Sequence, residues 1–124
     1  MVKMLHTCLR VKDLDRSLEF YKTLGLFETR RLDHSDKGFI IVYISSEVGQ
    51  YEIELTYNIG SDAYEVGNGF SHIAIGVDDL ESEQKRMKSL KYEVGELKGL
   101  SGNIPNYFFV TDPDGYKVEI IRNN

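Results

Sequence analysis

The chain has 124 residues, the length of one compact domain that buries its own core. Its 41% hydrophobic and 28% charged residues are typical of a globular protein, and the formal charge of −5 argues against nucleic acid or an anionic membrane as a partner. One cysteine excludes an internal disulfide, and no apolar run approaches the roughly 20 residues of a transmembrane helix. Together these features predict a cytoplasmic protein.

The first half of the chain has the pattern of a strand followed by a helix and further strands. Alternation of side chains predicts a first strand with His6, Cys8 and Arg10 on one face. Asp13 stands where the N-cap of a helix belongs, and Gly25 stands where that helix would close. The predicted elements are a strand at 4–11, a helix with Leu14, Leu18, Tyr21 and Leu24 on its apolar face, and strands at 28–32, 39–44 and 51–58.

The second half repeats this order after a glycine-rich connector at residues 59–69. Asp79 takes the N-cap position, and residues 112–115 have the proline and glycine of a tight turn. The predicted elements are a strand at 70–77, a helix with Leu80, Met87 and Leu90 on its apolar face, and strands at 91–96, 107–111 and 116–121. We therefore predict an α+β fold of two tandem βαβββ modules, residues 1–58 and 70–124, within a single domain 1–124.

Chemically distinctive residues also recur between the halves. His6 and His72 are 66 residues apart, and Glu54 and Glu119 are 65 apart. The same offset of 66 relates Val11 to Val77, Asp13 to Asp79, and Leu14 to Leu80. Packing repeats apolar positions but is indifferent to ligand chemistry, so two imidazoles and two carboxylates in register indicate a metal site formed by both modules.

The four residues suit a transition metal better than calcium or magnesium. Two neutral imidazoles and two carboxylates form a mixed nitrogen and oxygen set, which nickel, cobalt, iron, manganese and zinc all accept. Taken singly, each histidine would be a packed core residue and each glutamate part of a solvated strand face. Their equivalent positions in the repeat favour the metal site.

Four segments carry a resemblance to a known family. They are LHTCLRVKDLDRSLEFY (5–21), ELTYN (54–58), SHIAI (71–75) and DPDGYKVEII (112–121). Together they resemble the short bacterial type of glyoxalase I, the lactoylglutathione lyases of the vicinal oxygen chelate superfamily. The resemblance implies a metal site in the cleft of curved sheets.

The resemblance implies an activity and a ligand set. The family isomerises the hemithioacetal of methylglyoxal and glutathione to S-D-lactoylglutathione by proton transfer through an enediolate. Its metal ligands would be His6, Glu54, His72 and Glu119, around one divalent metal per site, with nickel or cobalt favoured and zinc possible. Glu119 would be the catalytic base, and the pseudo-symmetry makes Glu54 a competitor for that role.

Three further residues are candidates for binding the thiol part of the substrate. Arg10 and Asn58 each lie four residues beyond a predicted ligand, on the same strand face and about 13 Å along the strand. The resemblance implies that both bind the glutamyl part of glutathione and that Lys98, next to Gly99, binds its glycyl carboxylate. A surface salt bridge for Arg10 and a turn-capping role for Asn58 are the alternatives.

Other functions on the same fold remain open from the sequence. An acyl-CoA epimerase, an extradiol dioxygenase, a thiol transferase and a non-catalytic small-molecule binding module are the alternatives. We expect a homodimer whose site is built either within one chain or across the subunit interface. We also expect Cys8 to be a small buried residue rather than a ligand.

Overall fold

The computed structural model describes residues 1–99 and 104–123 and divides into two compact units, Met1–Glu65 and Val66–Asn124, which we call module 1 and module 2. Module 1 contains β1 (His6–Val11), α1 (Leu14–Thr23), β2 (Phe27–His34), a 3-10 helix (Ser35–Lys37), β3 (Phe39–Ser45) and β4 (Glu52–Asn58). Module 2 contains β5 (His72–Val77), α2 (Leu80–Ser89), β6 (Glu93–Val94), β7 (Tyr107–Thr111) and β8 (Lys117–Arg122). No helix in the described part of the chain is long and apolar enough to cross a membrane.

Each module forms one four-stranded sheet with the same topology. The strand orders are β1-β4-β3-β2 and β5-β8-β7-β6. In each sheet the first strand pairs in parallel with the last one, and the remaining pairs are antiparallel. The α+β fold of two βαβββ modules is therefore confirmed.

The helices begin where the sequence predicts. Asp13 accepts a hydrogen bond from the backbone N–H of Arg16 at 3.1 Å, and Asp79 accepts one from Ser82 at 3.0 Å. Each carboxylate satisfies a backbone donor that the first helical turn leaves without a partner and faces the positive end of the helix dipole.

The predicted apolar faces of the helices are partly wrong. The buried residues are Leu14, Ser17, Phe20 and Tyr21 in α1, and Leu80, Gln84 and Met87 in α2. Leu18 is only half-buried because it lies at the edge of that stripe, and Leu90 is exposed because it follows the last turn of α2.

Two strands differ most in length from the prediction, and β1 and β5 each begin two residues later than predicted. β2 extends to His34, beyond the predicted 28–32. β6 has only two residues instead of 91–96. Lys91 has a φ of 67°, and this left-handed conformation directs the chain out of α2 before it can enter a strand.

The apolar faces of the strands form the core of each module. Val11, Val42 and Leu55 are fully buried in module 1. Phe108, Val118 and Ile120 are fully buried in module 2. Because side chains alternate along a strand, the polar residues between these apolar ones lie on the opposite face of the sheet.

Candidate metal and substrate site

In module 1 the first and last strands bring one histidine and one glutamate together. β1 and β4 are parallel neighbours, with His6 opposite Glu52 and Cys8 opposite Glu54. His6 Nε2 lies 2.7 Å from Glu54 Oε2, and the two side chains are 35% and 14% exposed. A nitrogen and an oxygen donor therefore lie side by side on the polar face of the sheet.

Two more side chains hold the Glu54 carboxylate. Tyr43 Oη donates a hydrogen bond to Glu54 Oε2 at 3.2 Å, and Thr56 Oγ1 donates one to Oε1 at 3.1 Å. The Tyr43 ring also meets His6 edge to face, with centroids 5.5 Å apart. Burial raises the pKa of the Tyr43 phenol and the nearby carboxylate raises it further, so the hydroxyl keeps its proton and donates.

Tyr43 is held in turn by an ion pair. The guanidinium carbon of Arg30 lies 3.5 Å from the Tyr43 ring centroid, which is a cation–π contact. Arg30 Nη2 donates to Glu52 Oε1 at 3.0 Å, and Thr29 Oγ1 donates to Glu52 Oε2 at 2.6 Å. Hydrogen bonds from Arg30 and then from Thr29 hold the pKa of the Glu52 carboxyl below its ordinary value.

Module 2 places its histidine and glutamate in the same way. β5 and β8 are parallel, and His72 Nε2 lies 3.3 Å from Glu119 Oε1. The other ring nitrogen, Nδ1, lies 2.7 Å from Ser71 Oγ, which orients the imidazole. Phe109 meets His72 edge to face at 5.2 Å.

The residues around the two pairs are equivalent in position but different in chemistry. Phe109 is 66 residues after Tyr43, and Ile121 is 65 residues after Thr56. Module 2 therefore has the aromatic ring without the hydroxyl and an aliphatic chain in place of the second donor. Neither Tyr43 nor Phe109 was singled out from the sequence, although the repeat offset relates them.

Each pair places one nitrogen and one oxygen atom side by side, and both are of the kind that a transition metal accepts. Ligand atoms at right angles around a cation, with bonds of about 2.1 Å, lie about 3 Å apart, close to the 2.7 Å and 3.3 Å found here. Within residues 1–99 and 104–123, no group of three or more His, Cys, Asp or Glu side chains could hold a metal ion. The convergence of all four ligands stays a prediction.

Arg10 and Asn58 lie on β1 and β4 of module 1. Arg10 is exposed and on the His6 face, as predicted from the alternation. Asn58 Nδ2 donates to Tyr64 Oη at 3.1 Å, and Tyr64 Oη donates to Ser61 Oγ. The Asn58 side chain is therefore ordered by the start of the connector.

In module 2 the space at the equivalent positions is filled. Gly76 corresponds to Arg10, and Asn123 corresponds to Asn58. A Cβ added at Gly76 would lie 2.1 Å from Asn123 Oδ1, so the asparagine occupies the space of a side chain. Asn123 Nδ2 donates to Asp78 Oδ1 at 3.0 Å. Only module 1 thus offers an arginine at this place.

Lys98 lines the larger of two cavities at equivalent places in the modules. The module 2 cavity is about 600 Å³, and its lining includes Lys98, Glu96, Phe109 and Lys117. The module 1 cavity is about 270 Å³, and its lining includes Arg30 and Glu52, the equivalents of Glu96 and Lys117.

The predicted burial of Cys8 is wrong. Its side chain is exposed, and Sγ lies 3.3 Å from Thr56 Oγ1. Strand alternation puts Cys8 on the His6 face, which carries polar residues instead of core residues. The cysteine therefore borders the Glu54 hydrogen-bond network.

Comparison with known proteins defines the class. The Glyoxalase/Bleomycin resistance protein/Dioxygenase superfamily matches residues 3–120, and the chain belongs to this superfamily. The lactoylglutathione lyase of Haemophilus influenzae is 43% identical, with 98% of this chain and 93% of that protein covered.

Solved structures agree with this relationship. The trypanothione-dependent glyoxalase I of Leishmania major has a TM-score of 0.87 and 34% identity, covering 98% of this chain and 87% of that one. Glyoxalase I of Zea mays has a TM-score of 0.89 and 34% identity, covering 98% of this chain and 44% of that one. The chain thus shares both fold and sequence with glyoxalase I enzymes.

Proposed function

We propose that this protein is a glyoxalase I, which isomerises the hemithioacetal of methylglyoxal and glutathione to S-D-lactoylglutathione. The observation that supports this most directly is 43% identity, over 98% of the chain, to a lactoylglutathione lyase. The His–Glu pair in each module supplies the chemistry that such an enzyme needs. The protein is a carbon–sulfur lyase by this assignment.

The metal ligands in this proposal are His6, Glu54, His72 and Glu119. They would hold one divalent cation, with nickel or cobalt preferred and zinc possible. A bound cation supplies positive charge beside the substrate oxygens that become negative during the reaction. The two pairs would form one site either within a chain or across the interface of a homodimer.

Proton transfer is assigned to a carboxylate of this chain. Glu119 takes the proton from C1 of the hemithioacetal and returns it to C2. The proton of the C1 hydroxyl passes to the C2 oxygen, so C1 becomes the thioester carbonyl, C2 becomes an alcohol, and no external oxidant or reductant is needed. Glu54 is the pseudo-symmetric alternative. Tyr43 and Thr56 already bond both oxygens of Glu54, which supports Glu119 as the base.

Substrate binding is assigned to both modules. Arg10 and Asn58 bind the glutamyl part of glutathione, where the arginine can donate two parallel hydrogen bonds to a carboxylate. Lys98 binds the glycyl carboxylate from the rim of the larger cavity. The relative from Leishmania major depends on trypanothione, so the thiol is a property to be measured.

The cellular setting follows from composition. A single exposed cysteine suits a reducing compartment, so we assign the protein to the cytoplasm. Its role there is methylglyoxal detoxification, with small-molecule substrates and with neither nucleic acid nor a membrane as a partner.

The decisive experiment titrates metal-free protein with nickel and, separately, with zinc. Thioester formation from pre-equilibrated methylglyoxal and glutathione is followed by ultraviolet absorbance, with trypanothione in a parallel assay. Activity that saturates at one metal per site, with nickel above zinc, supports the proposal. Stoichiometric metal binding without turnover of either hemithioacetal would reject glyoxalase I and favour a thioester epimerase.

A further inference from the structure

The Glu54 carboxylate is restrained at both oxygens by its own module. Tyr43 donates to Oε2 and Thr56 donates to Oε1, at 3.2 Å and 3.1 Å. Rotation of the carboxylate, or its withdrawal from His6, would break one or both hydrogen bonds. Glu54 is therefore held in the orientation that faces the His6 imidazole.

The hydroxyl that restrains Glu54 is itself rigidly placed. Tyr43 is only 7% exposed, and Arg30 packs over its ring. Arg30 bonds both oxygens of Glu52, with Nη2 at 3.0 Å from Oε1 and Nε at 3.4 Å from Oε2. These contacts connect the Glu54 carboxylate to a second ion pair of the same sheet.

The equivalent glutamate in module 2 has no such restraint from its neighbours. Phe109 and Ile121 replace the two donors. Among the residues that the structure describes, Glu119 makes a polar side-chain contact only with His72, at 3.3 Å. Phe109 lies opposite Glu119 in the sheet just as Tyr43 lies opposite Glu54, so at this pair of positions a single oxygen atom is the difference between the modules.

We propose that Tyr43 is a positioning residue, which with Thr56 fixes Glu54 as a permanent metal ligand and leaves Glu119 as the glutamate that is free to move a proton. This inference rests on the proposed function. It goes beyond that function because it explains, from this chain's own residues, why two repeat-equivalent glutamates would have different roles.

A catalytic base and a permanent metal ligand require different freedom of movement of the carboxylate. A base that removes a proton from one carbon and returns it to the next must reach both carbons with one oxygen. A carboxylate restrained at both oxygens does this only by breaking its hydrogen bonds, whereas a ligand gains from being held before the cation arrives.

The experiment exchanges the single oxygen between modules. Tyr43→Phe removes it from module 1, and Phe109→Tyr adds it at the equivalent place in module 2. Thr56→Val removes the second donor while keeping the side-chain shape. Tyr51→Phe is the matched control, because its hydroxyl bonds Thr7 outside the network. Circular dichroism and melting temperature verify that each variant folds.

Two readouts are measured on full-length protein. The first readout is cobalt binding, which reports on Glu54 without any turnover. Competition with a chelator gives the cobalt affinity, and the visible spectrum of the cobalt-loaded protein gives the environment of the cation. The values of kcat and KM with glutathione hemithioacetal report on Glu119. Tyr43→Phe and Thr56→Val should each weaken cobalt affinity about 10-fold and change the spectrum. Phe109→Tyr should lower kcat about 10-fold with KM and cobalt affinity nearly unchanged.

The outcomes separate this inference from the proposed function. The inference is overturned if Tyr43→Phe and Thr56→Val leave the cobalt affinity and the spectrum unchanged. It is also overturned if Phe109→Tyr leaves kcat unchanged. If the wild type binds cobalt but turns over no hemithioacetal, the proposed function fails, and the affinities still decide whether Tyr43 positions Glu54. A wild-type protein that binds no cobalt overturns both.

Discussion

The two modules share a topology and a His–Glu pair but differ in what surrounds the pair. Module 1 has the Tyr43 hydroxyl on Glu54 and an exposed Arg10, whereas module 2 has Phe109 and Gly76 at these places. The cavity of module 1 is also smaller than that of module 2, about 270 Å³ against about 600 Å³. The comparison teaches that a repeat can keep a His–Glu pair and diverge at the positions beside it.

The largest expected effect tests the two glutamates against each other. Glu119→Gln keeps an oxygen ligand but removes the base, so kcat should fall about 10²- to 10⁴-fold. Glu54→Gln should lower kcat less and weaken metal affinity more. Steady-state kinetics and chelator competition measure both. Equal losses of kcat in the two variants would contradict the difference between the modules.

The next effect concerns the proposed substrate-binding residues, Arg10 of module 1 and Lys98 of module 2. Arg10→Lys keeps the charge but loses the paired donors, so KM for the hemithioacetal should rise about 10-fold with kcat little changed. Lys98→Ala should raise KM less, because a lysine binds a carboxylate as a point charge at the cavity rim. An unchanged KM in Arg10→Lys would remove the assigned role of module 1 in thiol binding.

A smaller effect concerns positions where the modules are alike. Asp13→Ala and Asp79→Ala each remove an N-cap hydrogen bond, and each should lower the free energy of unfolding by about 1 kcal/mol. Urea denaturation measures both values. A difference of more than about 1 kcal/mol between them would show that equivalent caps differ in importance.

The smallest effect is a pH dependence from Glu52 of module 1, whose equivalent in module 2 is Lys117. Arg30 holds the pKa of Glu52 below its unfolded value of about 4.3, so this carboxylate stabilises the fold above that pH and the stabilisation is lost as pH falls through the lowered pKa. Glu52→Gln should therefore flatten the decline of melting temperature below about pH 4.3. If the melting temperature of the variant fell with the same slope as that of the wild type, this role of Glu52 would be refuted.

Most of the fold could be predicted from local patterns. The N-caps at Asp13 and Asp79 and the turn at 112–115 occur as predicted, with Gly115 N–H donating to Asp112 O at 3.1 Å. Errors occurred where tertiary packing selects among apolar residues, as at Leu18 and Leu90, because periodicity does not define the centre of a buried stripe.

The sequence by itself determined the repeat and placed His6, Glu54, His72 and Glu119 at equivalent strand positions, because alternation and residue offsets are properties of the chain. Only the tertiary structure decided that the Tyr43 hydroxyl bonds Glu54 and that Asn123 fills the space at Gly76. Tyr43 and Glu54 are separated by 11 positions in the chain, and Gly76 and Asn123 by 47. Such contacts depend on the register between strands, and the pattern of a single strand does not specify that register.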